Sequence, residues 1–305
     1  MSGARAMSTG TGQATLPAKM RLLITGAGGM LGFDLRRAAA ERGDELTALT
    51  RTELDITDAA AVSAAVASSR PQAVINCAAY TNVDGAEQDA EMAHAVNGAG
   101  AGNVAAAAAA HGAFTVHVSS DYVFGGEKRS PYLESDPTGP RSAYGASKLA
   151  GELAVAQAAP GAHTIVRSSW LFGAGGTCFP ATMLKLAAER DELRVVEDQV
   201  GCPTFTGHLA PALLSLAAAP RPETIGIVHV AAAGECSWFE FAREIVAAGA
   251  VGTAVRPCTT AEFPRPARRP EYSVLRSERG AAVPELPHWR DGLAQYMRVT
   301  VGAAR

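Results

Sequence analysis

Short apolar runs alternate with helical stripes along the first half of this 305-residue chain. Residues 20–25 (MRLLIT) form an apolar run that ends in glycines, as a buried strand does. Residues 30–42 carry helical spacing and stop at Gly43, a residue that ends helices readily. Residues 46–49 read as a second strand. Asp58 is placed to cap a helix running to about Ser68, and residues 73–76 are a third strand. A long Ala-rich helix is expected over 91–111, closed by Gly112, because alanine is the best helix former. Residues 114–119 are a strand, 143–158 a helix and 163–168 another strand. Strands alternating with helices imply right-handed βαβ units: an α/β fold with a doubly wound parallel sheet of Rossmann type.

Beyond Ser168 the pattern loosens. Helices are expected at 179–190, 208–219 and 238–248, with a last one at 289–298. Strands are expected at 193–196 and 225–230, and a Pro/Arg-rich loop over 257–270. The shift suggests a cofactor-binding domain over 20–170 with about 204–232. A smaller, loop-rich substrate-binding lobe takes 171–203 and 233–305. Residues 1–19 are small and polar, with no apolar core for a signal peptide, and read as a disordered leader.

With 48% hydrophobic and 19% charged residues, the chain can bury a sizeable core. Its formal net charge of −3 argues against nucleic acid as a partner. The basic cluster from Arg265 to Arg269 is short, of a size to meet a small anion. Five scattered cysteines without C-x-x-C spacing read as reduced thiols of a cytoplasmic protein. The histidines are equally dispersed, so no metal site is expected. No apolar run reaches the roughly 18–20 residues that cross a bilayer, so no membrane partner is expected either.

The turn Gly26-Ala27-Gly28-Gly29-Met30-Leu31-Gly32 follows the first strand and opens the first helix. Glycines there allow a tight turn and let backbone approach a pyrophosphate resting on the helix N-terminus. Gly26, Gly29, Met30, Leu31 and Gly32 are therefore candidate dinucleotide contacts. The second strand ends Leu49-Thr50-Arg51, without a carboxylate at Thr50. Arg51 is suited to the 2′-phosphate of NADPH, with NADH the other cofactor admitted. Asp55 and Ile56 are placed to flank the adenine, the carboxylate accepting from its amino group. Asn76-Cys77-Ala78-Ala79 ends the third strand with small residues that leave room for a cofactor. Ala78, Ala79 and Tyr80 join the candidate contacts, while Cys77 reads as packing.

Tyr144-Gly145-Ala146-Ser147-Lys148 carries the candidate chemistry. Tyr and Lys four apart on a helix share a face, with Cβ atoms roughly 5–6 Å apart. A neighbouring ammonium favours the phenolate, so Lys148 is expected to lower the pKa of Tyr144 and fit it for proton transfer.

Residues 25–32, 76–84, 118–124 and 144–152 together resemble the extended short-chain dehydrogenase/reductases. Residues 54–58, 79–84, 120–124, 167–170 and 198–204, with Arg269-Pro270, Ser273 and Leu275, are similar to the branch that reduces nucleotide-bound keto sugars. The resemblance covers about residues 20–297. It implies NADPH-dependent reduction of the C4 ketone of dTDP-4-dehydro-L-rhamnose to dTDP-L-rhamnose. It also implies roles. Tyr144 gives the proton, and Lys148 tunes it and holds the nicotinamide ribose. Ser120, where the family often has Thr, binds the ketone or positions Tyr144. Asp121 and Trp170 meet the sugar, and Arg269 the diphosphate. Two other readings stay open: a nucleotide-sugar epimerase or dehydratase of the same fold, and a non-catalytic regulatory subunit like that of methionine adenosyltransferase. Oligomeric state is open too, a homodimer included.

Overall fold

The computed structural model describes residues 19–250 and 252–300, so the expected leader lies outside the described residues except for Lys19. The chain runs β1 (Arg21–Thr25), α1 (Met30–Arg42), β2 (Glu45–Leu49), α2 (Ala59–Ser69) and β3 (Ala73–Asn76). Next come α3 (Ala90–His94), α4 (Ala101–Ala110), β4 (Phe114–Ser120), α5 (Ala143–Ala158) and β5 (His163–Ser168). The second half holds β6 (Leu171–Phe172), α6 (Phe179–Glu189), β7 (Glu192–Val196), β8 (Val200–Gly201), β9 (Thr204–Phe205), α7 (Thr206–Ala218) and β10 (Gly226–His229). It closes with β11 (Ala232–Ala233), β12 (Cys236–Ser237), α8 (Trp238–Ala248), β13 (Ala254–Cys258), β14 (Leu286–His288) and α9 (Trp289–Thr300).

Six strands form one parallel sheet in the order β10-β5-β4-β3-β1-β2. Successive side chains of a strand point to opposite faces, and the sheet is covered on both. Leu22 and Ile24 of β1, with Ala73 and Ile75 of β3, enter one core with Leu31 and Leu35 of α1 and Leu209 and Leu213 of α7. Leu23 and Val74 enter the other, against Val62 and Val66 of α2 and Val104 of α4. The strand order reverses between β1 and β3, and a ligand crevice opens beyond the strand ends at such a point. A separate core gathers Phe172, Met183, Leu193, Phe205, Phe241, Ile245, Trp289 and Tyr296 from the second half of the chain.

The expected helix over 91–111 is interrupted. Between α3 and α4, Ala95–Gly100 widens into a π-helical turn. Asn97 sits in that turn, and its amide clasps the backbone of Tyr80: Oδ1 accepts from the Tyr80 N–H at 2.8 Å and Nδ2 donates to the Tyr80 carbonyl at 3.0 Å. The widened turn and the clasp occur together, and π turns are often found at functional sites. The expected loop over 257–270 begins instead as the end of β13, which pairs with β7.

Candidate active site

The glycine turn lies at the strand-order reversal. Gly26 has φ +69°, and a Cβ there would stand 2.5 Å from the Ala78 backbone nitrogen; one at Gly32 would stand 2.6 Å from the Ala27 Cα. Both positions accept only glycine. Gly29 caps α1 without a side-chain partner, and the first turn of α1 carries no acid. Its free N–H groups suit a diphosphate, so the cradle fits a dinucleotide.

Beyond that turn, the Ala27 N–H donates to the Leu49 carbonyl at 3.0 Å, and the Thr50 methyl stands 3.5 Å from where a Gly28 Cβ would be. Arg51 is exposed at this corner. Glu53, which the sequence reading passed over, accepts from the Thr50 N–H at 2.8 Å and its hydroxyl at 2.7 Å. Asp55 commits one oxygen to Thr57, whose N–H (2.9 Å) and hydroxyl (2.8 Å) hold the carboxyl below its ordinary range. Ile56 differs from the expectation of a ligand contact by its side chain: it is buried in the core beside Gly100. Its apolar surface is worth more there than at an open rim.

A cavity of about 620 Å³ runs from the glycine turn to α5. Gly26, Gly29, Met30, Leu31, Gly32 and Ala79 line one end, and Ser120, Asp121, Tyr144, Lys148 and Trp170 the other. Arg51, Asp55, Ile56, Ala78, Tyr80 and Arg269 lie outside its lining. Ser120 ends β4, donating to Asp121 Oδ1 at 3.0 Å and accepting from the Tyr122 N–H at 3.2 Å. Tyr144, in the first turn of α5, meets the Tyr122 ring edge-on at 5.5 Å. Ser142 caps that helix, its hydroxyl accepting from the Gly145 N–H at 3.1 Å.

One electrostatic expectation is corrected. Burial pushes the Tyr144 phenol up, to about 12; a hydrogen bond with Ser120 opposes the rise and Asp121 adds to it. Lys148 is not among the charges acting on that phenol. Its Nζ donates to the Val118 carbonyl at 2.7 Å, and burial lowers it to about 8, against the opposing pull of Glu152 and Cys77. Desolvation sets the direction of the phenol's shift here. Cys77 itself is pushed up to about 12 by burial, so it stays a thiol.

On the far wall, Asp121 is buried and accepts from Ser273 Oγ at 2.6 Å. Burial pushes its carboxyl up to about 6, against those hydroxyl hydrogen bonds. Trp170 adopts φ +47° and stacks on Trp238, rings 3.6 Å apart and 5° from parallel. Trp238 and Phe179 extend the aromatic wall into the cavity. Trp238 was not singled out in the sequence because nothing local links it to Trp170. Arg269 forms a bidentate pair with Asp84, both contacts at 3.0 Å, and Arg265 reaches the same carboxylate. That guanidinium, expected at the diphosphate, is held at the rim. Among the described residues no group of three or more His, Cys, Asp or Glu side chains stands together to hold a metal ion, and no helix is long and apolar enough to cross a membrane.

A glycine cradle at the reversal of a doubly wound sheet, opening onto a Tyr-Lys helix, defines a Rossmann-type NAD(P)-dependent oxidoreductase. Comparison with known proteins narrows the class. The RmlD substrate-binding domain family matches residues 20–301. A dTDP-4-dehydrorhamnose reductase of Streptomyces griseus is 46% identical over 289 residues, 93% of this chain and 95% of the relative. The crystal structure of a dTDP-4-dehydrorhamnose reductase from Bacillus anthracis in complex with NADP superposes with a TM-score of 0.88 at 38% identity, covering 93% of this chain and all of that one. A counterpart from Clostridium acetobutylicum gives 0.87 at 41% identity, over 91% and 98% of the two chains. The UDP-glucose 4-epimerase of Thermus thermophilus, at 22% identity and a TM-score of 0.76, shares the fold. The chain belongs to the dTDP-4-dehydrorhamnose reductase family.

Proposed function

We propose that the protein reduces the C4 ketone of dTDP-4-dehydro-L-rhamnose with NADPH, giving dTDP-L-rhamnose. The observation that carries this is one cavity lined by both the glycine cradle and Ser120, Tyr144 and Lys148. The binding of NADP by the Bacillus anthracis relative supports the choice of cofactor. NADPH, when bound, supplies the hydride.

This chain's residues do the rest. Gly26, Gly29 and Gly32 let backbone N–H groups meet the diphosphate, and Ala79 leaves room beside it. Arg51 meets the 2′-phosphate at the exposed corner. Tyr144 gives its proton to the ketone oxygen as negative charge grows there. A phenol held near 12 is fully protonated at neutral pH, which is the form a donor needs. Ser120, whose single proton goes to Asp121 in the free protein, turns that proton to the same oxygen when the ketone is bound. Lys148 holds the nicotinamide ribose, and Trp170 gives the sugar an apolar face. Residues 20–170 with about 204–232 serve the cofactor; 171–203 and 233–305 serve the substrate. A cytoplasmic protein acting on a small nucleotide sugar fits these parts.

Loss of reduced-nicotinamide absorbance with dTDP-4-dehydro-L-rhamnose tests the reading. Turnover dependent on both compounds is expected. Purification with NAD that does not exchange, and no net consumption of NADPH, would point to an epimerase instead.

A further inference from the structure

α5 carries a third polar residue on the face that holds Tyr144 and Lys148. Glu152 lies one turn beyond Lys148 and is as buried, both 2% exposed. The proposed mechanism leaves it idle, yet it is the hub of a network at the end of β4. Its Oε1 accepts from Ser119 Oγ at 2.6 Å and Arg167 Nε at 2.8 Å; its Oε2 accepts from Arg167 Nη2 at 2.7 Å. Arg167 stands beside Ser119 in the β4–β5 ladder, its guanidinium over the Phe124 ring at 4.9 Å. Lys148 grips the residue before Ser119 through the Val118 carbonyl. The helix thus holds β4 at two successive residues, and the next is Ser120.

Burying an ion pair is costly, and apolar side chains of similar size are often as stabilising. A pair kept at this place invites a functional account. We infer that Glu152, anchored by Arg167, is a positioning residue for proton delivery: it fixes Ser119 so that the Ser120 hydroxyl faces Tyr144, and its negative charge keeps Lys148 a cation. The inference rests on the reductase reading for its kinetic arm alone. The groups whose charge meets that of Lys148 are Glu152 on α5, Cys77 after β3 and His117 on β4. His117 is buried and held well below its ordinary range, first by desolvation, so it stays neutral, and Cys77 stays a thiol. Glu152 is then the anion beside Lys148.

The chain's four lysines, Lys19, Lys128, Lys148 and Lys185, make the test direct. Lysine labelled with carbon-13 at Cε is titrated by NMR, and the Lys148 signal is the one absent from K148M. In E152Q the Lys148 midpoint is expected to fall by about one pH unit, a tenfold loss of proton affinity. E152Q/R167M replaces both charges and avoids an unpaired guanidinium, so it keeps the fold while showing the same fall. The alkaline limb of kcat should move down with it, where a merely structural role would lower kcat evenly at all pH. S119A should lower kcat about tenfold, less than the roughly 10²–10⁴-fold of losing the general acid itself, with the KM for NADPH unchanged. A folded E152Q/R167M whose Lys148 titrates as in the wild type would overturn the inference, as would wild-type kcat in S119A. Wild-type protein that leaves the keto sugar unreduced would overturn the reductase reading alone, because the lysine titration needs no substrate.

Discussion

A proton donor at Tyr144 must carry its proton at neutral pH, and burial rather than the neighbouring lysine secures that. Tyr144→Phe removes the proton and little else. Turnover should drop roughly 10²–10⁴-fold while NADPH binding measured by fluorescence is retained; near-normal turnover would contradict the role. The same environment sets the acid limb. Asp121 titrates near 6, because desolvation outweighs its hydrogen bonds from Ser273 and Ser120. Protonated, it loses the charge that strengthens both bonds, and its own O–H competes with a hydroxyl for one of the two oxygens, which loosens Ser120. Activity should therefore rise as pH climbs through about 6 and fall again near 8 as Lys148 deprotonates. Ser273→Ala deletes a bond that favours the carboxylate, so the acid limb should move to higher pH. An acid limb superimposable on that of the wild type would remove Asp121 from the account. Sequence spacing brought Tyr144 and Lys148 to one helix face, but the spacing says nothing of the depth at which that face is buried. That is why the direction of the phenol's shift was misread.

At the scale of elements, legibility tracks how local the cause is. Helices α1, α5 and α8 begin and end where the stripe of apolar positions and the turn residues place them, because helix signals are written within one segment. The two-residue ladders β6–β9 and β8–β12 could not be read, since each depends on a partner far along the chain. The π-helical turn at Ala95–Gly100 escaped for a related reason: it goes with the Asn97 amide's bonds to the distant Tyr80 backbone, and alanine propensity alone gives a plain helix. The glycine turn was legible and is a demanding one. Gly26→Ala would force a side chain into the left-handed region and against the Ala78 backbone, 2.5 Å away. A loss of about 2 kcal/mol or more is expected, read as a lower urea midpoint, together with loss of NADPH binding. Arg51, at the exposed end of β2, is a gentler case. Arg51→Ala should weaken NADPH more than NADH in paired titrations, and equal weakening would show that it does not read the 2′-phosphate.

The molecule as a whole sets the sheet with its packed faces and a separate aromatic core around one cavity. The parallel sheet brings the glycine cradle, Ser120 and the Tyr-Lys helix; the separate core brings Phe179 and Trp238, which stand in its aromatic network with Phe241. Trp170, just past β5, closes the gap by stacking flat on Trp238, and it does so with a backbone conformation that a bulky residue adopts only under constraint. The stack is thus where the two halves meet at the cavity wall. Trp238→Ala removes the support without touching the cradle, so the two ligands should separate cleanly. The KM for the nucleotide sugar should rise about tenfold, the effect of roughly 1.4 kcal/mol of lost aromatic stacking. NADPH affinity should stay within about twofold, and saturating NADPH should stabilise variant and wild type alike, by about 2.7 kcal/mol at a hundred times Kd. Melting curves with and without NADPH, run beside the kinetics, check both halves of the statement. A variant that lost cofactor and sugar in parallel would show that the aromatic wall holds the whole cleft open rather than serving the substrate side.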